Sequence, residues 1–284
     1  VIVTLAADIP QSTSEVLAFH LHLDVVGMVV ALVAGYEYGI RRLGPLYAPK
    51  GEIVVTTAQR VAFYSGVFSL LFVSSWPIHD IGEGSLFIFH MIEHMAIGLV
   101  APPLLLLGMP WWLLRLIVKP IMPVVKFLTR PLIALFAFNA MLGIIHIPAF
   151  VELMVTGPEW VHFVIHAILL ITGLMMWWPV ISPLPEFPQL SPFMKMGYLF
   201  LQSLVPTIPA SFLTLGDSAL YTVYEEFPRL WGLSAHSDQV IAGLIMKLGG
   251  GFLLWGFIAW VFFSWWNEEQ RYGAADRPRV PEPT

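Results

Sequence analysis

The 284-residue chain is 57% hydrophobic and only 12% charged, whereas a soluble domain of this size needs roughly a quarter of its residues charged to cover its surface. No cysteine occurs, which excludes disulfides, thiolate metal sites and iron–sulfur clusters. The net charge of −5 says little about partners because the charges are segregated by loop, and no nucleic-acid partner is expected.

Taken in chain order, apolar runs of about 20 residues, the length that crosses the hydrocarbon of a bilayer, fall at 19–39, 55–76, 86–107, 131–150, 160–179, 194–215 and 238–265. Runs this uniformly apolar predict helices: backbone in lipid must satisfy its own hydrogen bonds, and barrel strands would alternate. The first run is long enough to span and lacks a basic segment ahead of it, so no cleavable signal peptide is expected. Between the third and fourth runs, Pro110 to Lys126 carries Trp111, Trp112 and spaced cations, which predicts a short helix lying in the interface. Pro179, Pro183, Pro185, Pro188 and Pro192 predict a stiff, non-helical connector. Pro206 and Pro209 should kink the sixth helix, and Gly249-Gly250-Gly251 permits close helix contact in the seventh. The expected fold is therefore an all-α, polytopic transmembrane bundle of seven spans, one domain over 1–266, with the longest polar loop at 217–237 and a charged tail at 267–284.

The cations set the expected orientation. Arg41, Arg42, Lys50, Arg60, Arg115, Lys119, Lys126, Arg130, Lys195, Arg271, Arg277 and Arg279 fall on one side of seven alternating helices, and only Arg229 on the other. The positive-inside rule then places the N-terminus outside and the C-terminus in the cytoplasm.

On that topology all nine histidines lie at the outer side. His20 and His22 open the first helix, His79 sits in the loop before the third, and His90 and His94 occupy the third helix's first turns. His146 ends the fourth, His162 and His166 begin the fifth, and His236 precedes the seventh. His90/His94 and His162/His166 are i,i+4 pairs, each projecting from one helical face, and His20/Asp24 has the same spacing. Imidazole suits copper, zinc, iron and nickel, and polar groups at membrane depth are functional by default. The candidate metal ligands are His90, His94, His162 and His166, with His146, His20 and Asp24 contributing or completing a second site. Met91 and Met95 offer soft thioethers compatible with Cu(I), although methionine in so apolar a chain is more often packing. Glu93 completes an H-x-x-E-H string that some zinc proteases carry; the simpler reading is that it orients a ligating imidazole. Asp238 is expected to cap its own helix or to support the site, with His22 beside it in that supporting set. Lys247, about 14 Å into the seventh helix at 1.5 Å per residue, must pair with Asp24 or Glu93, snorkel or lose its proton.

The string His90-Met91-Ile92-Glu93-His94, followed by Ala101-Pro102-Pro103-Leu104-Leu105-Leu106-Leu107-Gly108, resembles the signature of the CtaG family of cytochrome c oxidase assembly factors. His146-Ile147-Pro148-Ala149, His162 and His166 leading into Trp177-Trp178-Pro179-Val180, and Asp238-Gln239 with Ala242-Gly243-Leu244-Ile245-Met246 also fit, in the family order over roughly 60–265. Glu93 stands where the family typically has Gln, and Lys247 where an apolar residue or Trp is expected. The resemblance implies a non-catalytic, multi-pass protein of a bacterial or archaeal cytoplasmic membrane. It would bind copper and deliver it to a haem–copper oxidase, with oxidase subunits I and II as partners. The alternative is a haem- or metal-binding integral subunit of a respiratory complex, and zinc is the other candidate ion.

Overall fold

The computed structural model describes residues 10–181, 183–187 and 189–275, with side chains as far as 271. Pro188 of the expected connector and the tail from 276 on, with Arg277 and Arg279, lie outside the described residues. Among the described residues all regular structure is helical. We number the helices α1 (Leu23–Tyr47), α2 (Thr57–Gly84), α3 (Phe87–Gly108), α4 (Trp111–Leu128), α5 (Pro131–Ile145), α6 (Pro148–Thr156), α7 (Glu159–Ile181), α8 (Pro192–Leu215) and α9 (Ala235–Arg271). Six of them are long and apolar enough to cross a membrane, or seven if α4 and α5, which meet at 84°, count as one broken span.

Local chemistry explains most boundaries. Thr56 and Gln59 form a reciprocal capping box that starts α2. Pro131 occupies the first turn of α5, where its missing N–H costs nothing. α4 is pinned by the Trp112 indole, which donates to Val54 O at 2.8 Å. As expected, α8 breaks at Val205 and Pro206, between Pro192–Leu204 and Thr207–Leu215.

Several boundaries differ from the sequence reading. The first helix begins at Leu23, not near 19, because His20 and His22 are drawn out of helical register by Asp80. The fourth run ends at Ile145; His146 and Ile147 form a break, and Pro148 opens the separate α6. α7 runs through Pro179 to Ile181, so the non-helical connector is shorter than the prolines suggested. α9 starts at Ala235, with Ser234 as its cap, and passes Asn267 to Arg271, the helical backbone running on to Ala275.

The helix that organises the bundle is α3, the most enclosed of the candidate spans. At its far end Gly108 abuts the Phe63 backbone of α2, and Tyr36 stacks on Phe63 at 3.7 Å while donating to Gly108 O at 3.0 Å. In its middle, a π-helical turn at Ala96–Val100 brings Gly98 against Gly173 of α7. A Cβ on Gly173 would stand 2.6 Å from Gly98 O and 2.8 Å from Pro102 Cγ. Only glycine allows this approach, and it sets the two histidine-bearing helices side by side.

Candidate metal centre

The i,i+4 pairs face each other beyond the Gly98–Gly173 contact, one to two turns along α3 and two to three turns along α7. His166 Nε2 lies 3.0 Å from His94 Nε2 and 2.9 Å from His162 Nε2. Ligand atoms of His90, His94 and His162 lie within 4.8 Å of one another, and all three residues are buried. The His90 and His94 rings are 4.1 Å apart, and His162 and His166 4.2 Å. All four imidazoles singled out in the sequence therefore converge.

Protons alone satisfy this arrangement poorly. A single ring nitrogen carries one proton or one lone pair, so His166 Nε2 cannot make two good hydrogen bonds to two other imidazoles. Both ring nitrogens of His90 and Nδ1 of His94 are buried without a hydrogen-bond partner among the described residues. Buried polar atoms left this way are costly. A cation that accepts several nitrogen lone pairs at once resolves the conflict, and this donor set fits a borderline or soft transition metal.

Around the imidazoles stands a shell of carboxylates. Glu93, with no exposed surface, approaches His79 Nδ1 at 3.0 Å and His166 Nδ1 at 3.4 Å. Glu83 faces His79 Nε2 at 3.3 Å and is in close contact with His162 Nδ1. Two imidazoles of the cluster thus have a carboxylate at Nδ1 and the centre at Nε2, the arrangement that fixes the tautomer and orientation of a ligating histidine. His79, Glu93 and His162 also form a compact group with ligand atoms within 4.8 Å.

The remaining candidates sit at varied distances. His146 is buried, but its Nδ1–H donates to Leu142 O at 2.7 Å, and it lines a separate cavity of about 40 Å³ with Met91, His94, Met95, Met246 and Lys247. Met91 and Met95 thus adjoin the cluster through the cavity that His94 also lines. Asp24 lines a cavity of about 90 Å³ with His22, His79, Glu83, His162 and His166. His20 does not share a helical face with Asp24, since α1 has not begun; its Nδ1 donates to Asp80 Oδ1 at 2.8 Å. Lys247 pairs with neither Asp24 nor Glu93, and its ammonium donates to Ser211 Oγ at 3.3 Å.

Asp238 caps a helix, but not its own. Its carboxylate accepts from Phe87 N–H (2.8 Å) and Ile88 N–H (2.9 Å), the free end of α3, and from Arg229 Nη2 at 2.9 Å. The loop before α9 is clamped over the same corner: Tyr224 Oη donates to Gly82 O at 2.7 Å, and Arg229 reaches Ser85 O. Burial pushes the Tyr224 phenol well above its ordinary range, so it remains a donor. Asp238 thereby fixes the helix end that carries His90 and His94.

Three residues were missed in the sequence as site members: His79, Asp80 and Glu83. The stretch around His79 reads as a loop before the third helix, yet it forms the helical Ile78–Gly84 end of α2. The i,i+4 spacing of His79 and Glu83 was the signal available.

A family model described as "Cytochrome c oxidase caa3 assembly factor (Caa3_CtaG)" matches residues 34–268 of the chain. No curated protein and no solved structure matches it.

Proposed function

The chain belongs to the cytochrome c oxidase caa3 assembly factor family, and we propose that it serves assembly by binding copper as cargo in the four-histidine cluster and passing it to the oxidase. The single observation that carries this reading is the approach of His94, His162 and His166 through their Nε2 atoms at 2.9–3.0 Å, with His90 alongside. Histidines held this way suit a transition-metal ion. The three methionines lining the adjoining cavity favour copper over zinc, because thioethers are soft ligands. A haem is disfavoured. Its axial imidazoles must stand on opposite faces of a macrocycle, and the chamber beside the cluster measures about 90 Å³.

The roles of the chain's own groups follow from their positions. His90, His94, His162 and His166 hold the ion. Glu93 and Glu83 orient the rings of His166 and His162 and supply the negative charge that a buried cation needs. Asp238 anchors the ligand-bearing end of α3. A peptidase use of the H-x-x-E-H string gains no support, since Glu93 is enclosed between His79 and His166. In a bacterial or archaeal cytoplasmic membrane, with the cation-rich side inward, the cluster faces outward. There it could load subunit I, with subunit II as a second contact.

Elemental analysis of purified protein tests the reading. The wild type should carry copper, while His94→Ala and His166→Ala should lose it and fail to support oxidase maturation. Unchanged copper content in both variants would reject the cluster as the site.

A further inference from the structure

A second group of imidazoles lies outside the cluster. His20 Nδ1 and His22 Nε2 grip the two oxygens of Asp80 at 2.8 and 3.0 Å. The three side chains grade inward: His20 is 59% exposed, His22 21% and Asp80 9%. They line an open vestibule of about 700 Å³, which also contains Asp24, Glu83 and Glu159. The smaller cavity of about 90 Å³ beside the cluster shares His22, Asp24, Glu83 and Glu159 with it, so the two spaces adjoin.

From this rim a row of rings leads inward. His22 is 4.7 Å from His79, His79 is 5.1 Å from His162, and His162 is 4.2 Å from His166. At such spacing the next imidazole can bind an ion before the previous one releases it, so the ion never has to enter the protein bare, at the cost of desolvating an unpaired charge. Carboxylates along the vestibule wall raise the local concentration of cations. His20 and His22 precede the residues matched by the family model, 34–268, whereas His79 and Asp80 lie within them.

We propose that His20, His22 and Asp80 form a separate intake site for the metal ion, which passes by ligand exchange through His79 to the four-histidine cluster. The inference rests on the copper reading of that cluster and names the route by which the cluster fills. It predicts that the rim governs how fast the metal arrives and not how much is finally held.

The test is copper(I) uptake from its coloured bicinchoninate complex by the full-length protein in detergent, with the rate and the final content measured separately. The His20→Ala/His22→Ala double variant should load about tenfold more slowly, in line with the gain a charge-lined cleft gives to association, yet reach the wild-type content. Asp80→Asn keeps the size of the side chain and should also slow loading. Trp76→Phe is the control for loosening of the N-terminal segment, because the Trp76 indole donates to Leu17 O at 3.3 Å and is no ligand; it should load at the wild-type rate. Wild-type rates in both rim variants would overturn the intake site, as would equal slowing in Trp76→Phe or a loss of final content in the rim variants. A wild-type protein that takes up no copper would instead overturn the parent reading, and the intake site with it.

Discussion

The two ends of the bundle use the same charged residue types in opposite ways. At the end where α1 finishes and α2 begins, Glu37 pairs with Arg41 at 2.6 Å and Arg60 at 2.8 Å, and in α4 Arg115 meets Glu186 at 2.5 Å. Both arginine-rich groups are partly exposed, and each carboxylate has an ordinary cationic partner. At the histidine end, Glu93 and Asp238 have no exposed surface, and the partners of Glu93 are imidazoles. Exposed pairs contribute little and are easily replaced. Carboxylates and imidazoles withdrawn from water cost free energy that a bound cation can offset. The difference separates pairs that solvent can replace from a buried set that suits the cation proposed above.

Removing a charge at each end should sharpen that contrast. The largest loss is expected for Asp238→Ala, which frees the first N–H groups of α3 and leaves Arg229 without its carboxylate. Breaking such a buried pair costs about 3–5 kcal/mol, measurable as a lowered midpoint of thermal unfolding in detergent, and copper content should fall with it. Glu93→Gln comes next. It keeps the shape and a hydrogen-bonding group beside His79 and His166 but removes the buried charge, so copper affinity should drop about 10–100-fold in a competition titration while the fold persists. The smallest effect belongs to the opposite end. Arg115→Gln should change stability by less than about 1 kcal/mol and leave copper content unaltered. A large loss of copper in Arg115→Gln, or none in Glu93→Gln, would break the distinction between the ends.

Much of this was legible in the sequence because lipid imposes a strong pattern. The starts of α3, α7 and α8 fall within two residues of the apolar runs, and the two histidine pairs were found from helical spacing alone. What escaped the sequence depends on partners distant along the chain. Asp238 looks like the cap of its own helix, and nothing local reveals that α3, some 150 residues earlier, takes its carboxylate. His20 reads as helical until Asp80, 60 residues on, is seen to hold it. His79 lies just beyond a proline, and its place between Glu83 and Glu93 exists only once α2 and α3 pack. The contact that aligns the ligands, Gly98 on Gly173, carries no signal beyond two small residues in apolar helices.

X-ray absorption spectroscopy of the copper-loaded protein tests the central claim most directly, since it reports the atoms around the ion. The account predicts a first shell dominated by nitrogen, with the outer-shell scattering of several imidazoles and at most one thioether sulfur. A sulfur-rich shell, which would place the ion among Met91, Met95 and Met246, or a shell without imidazole scattering, would contradict it.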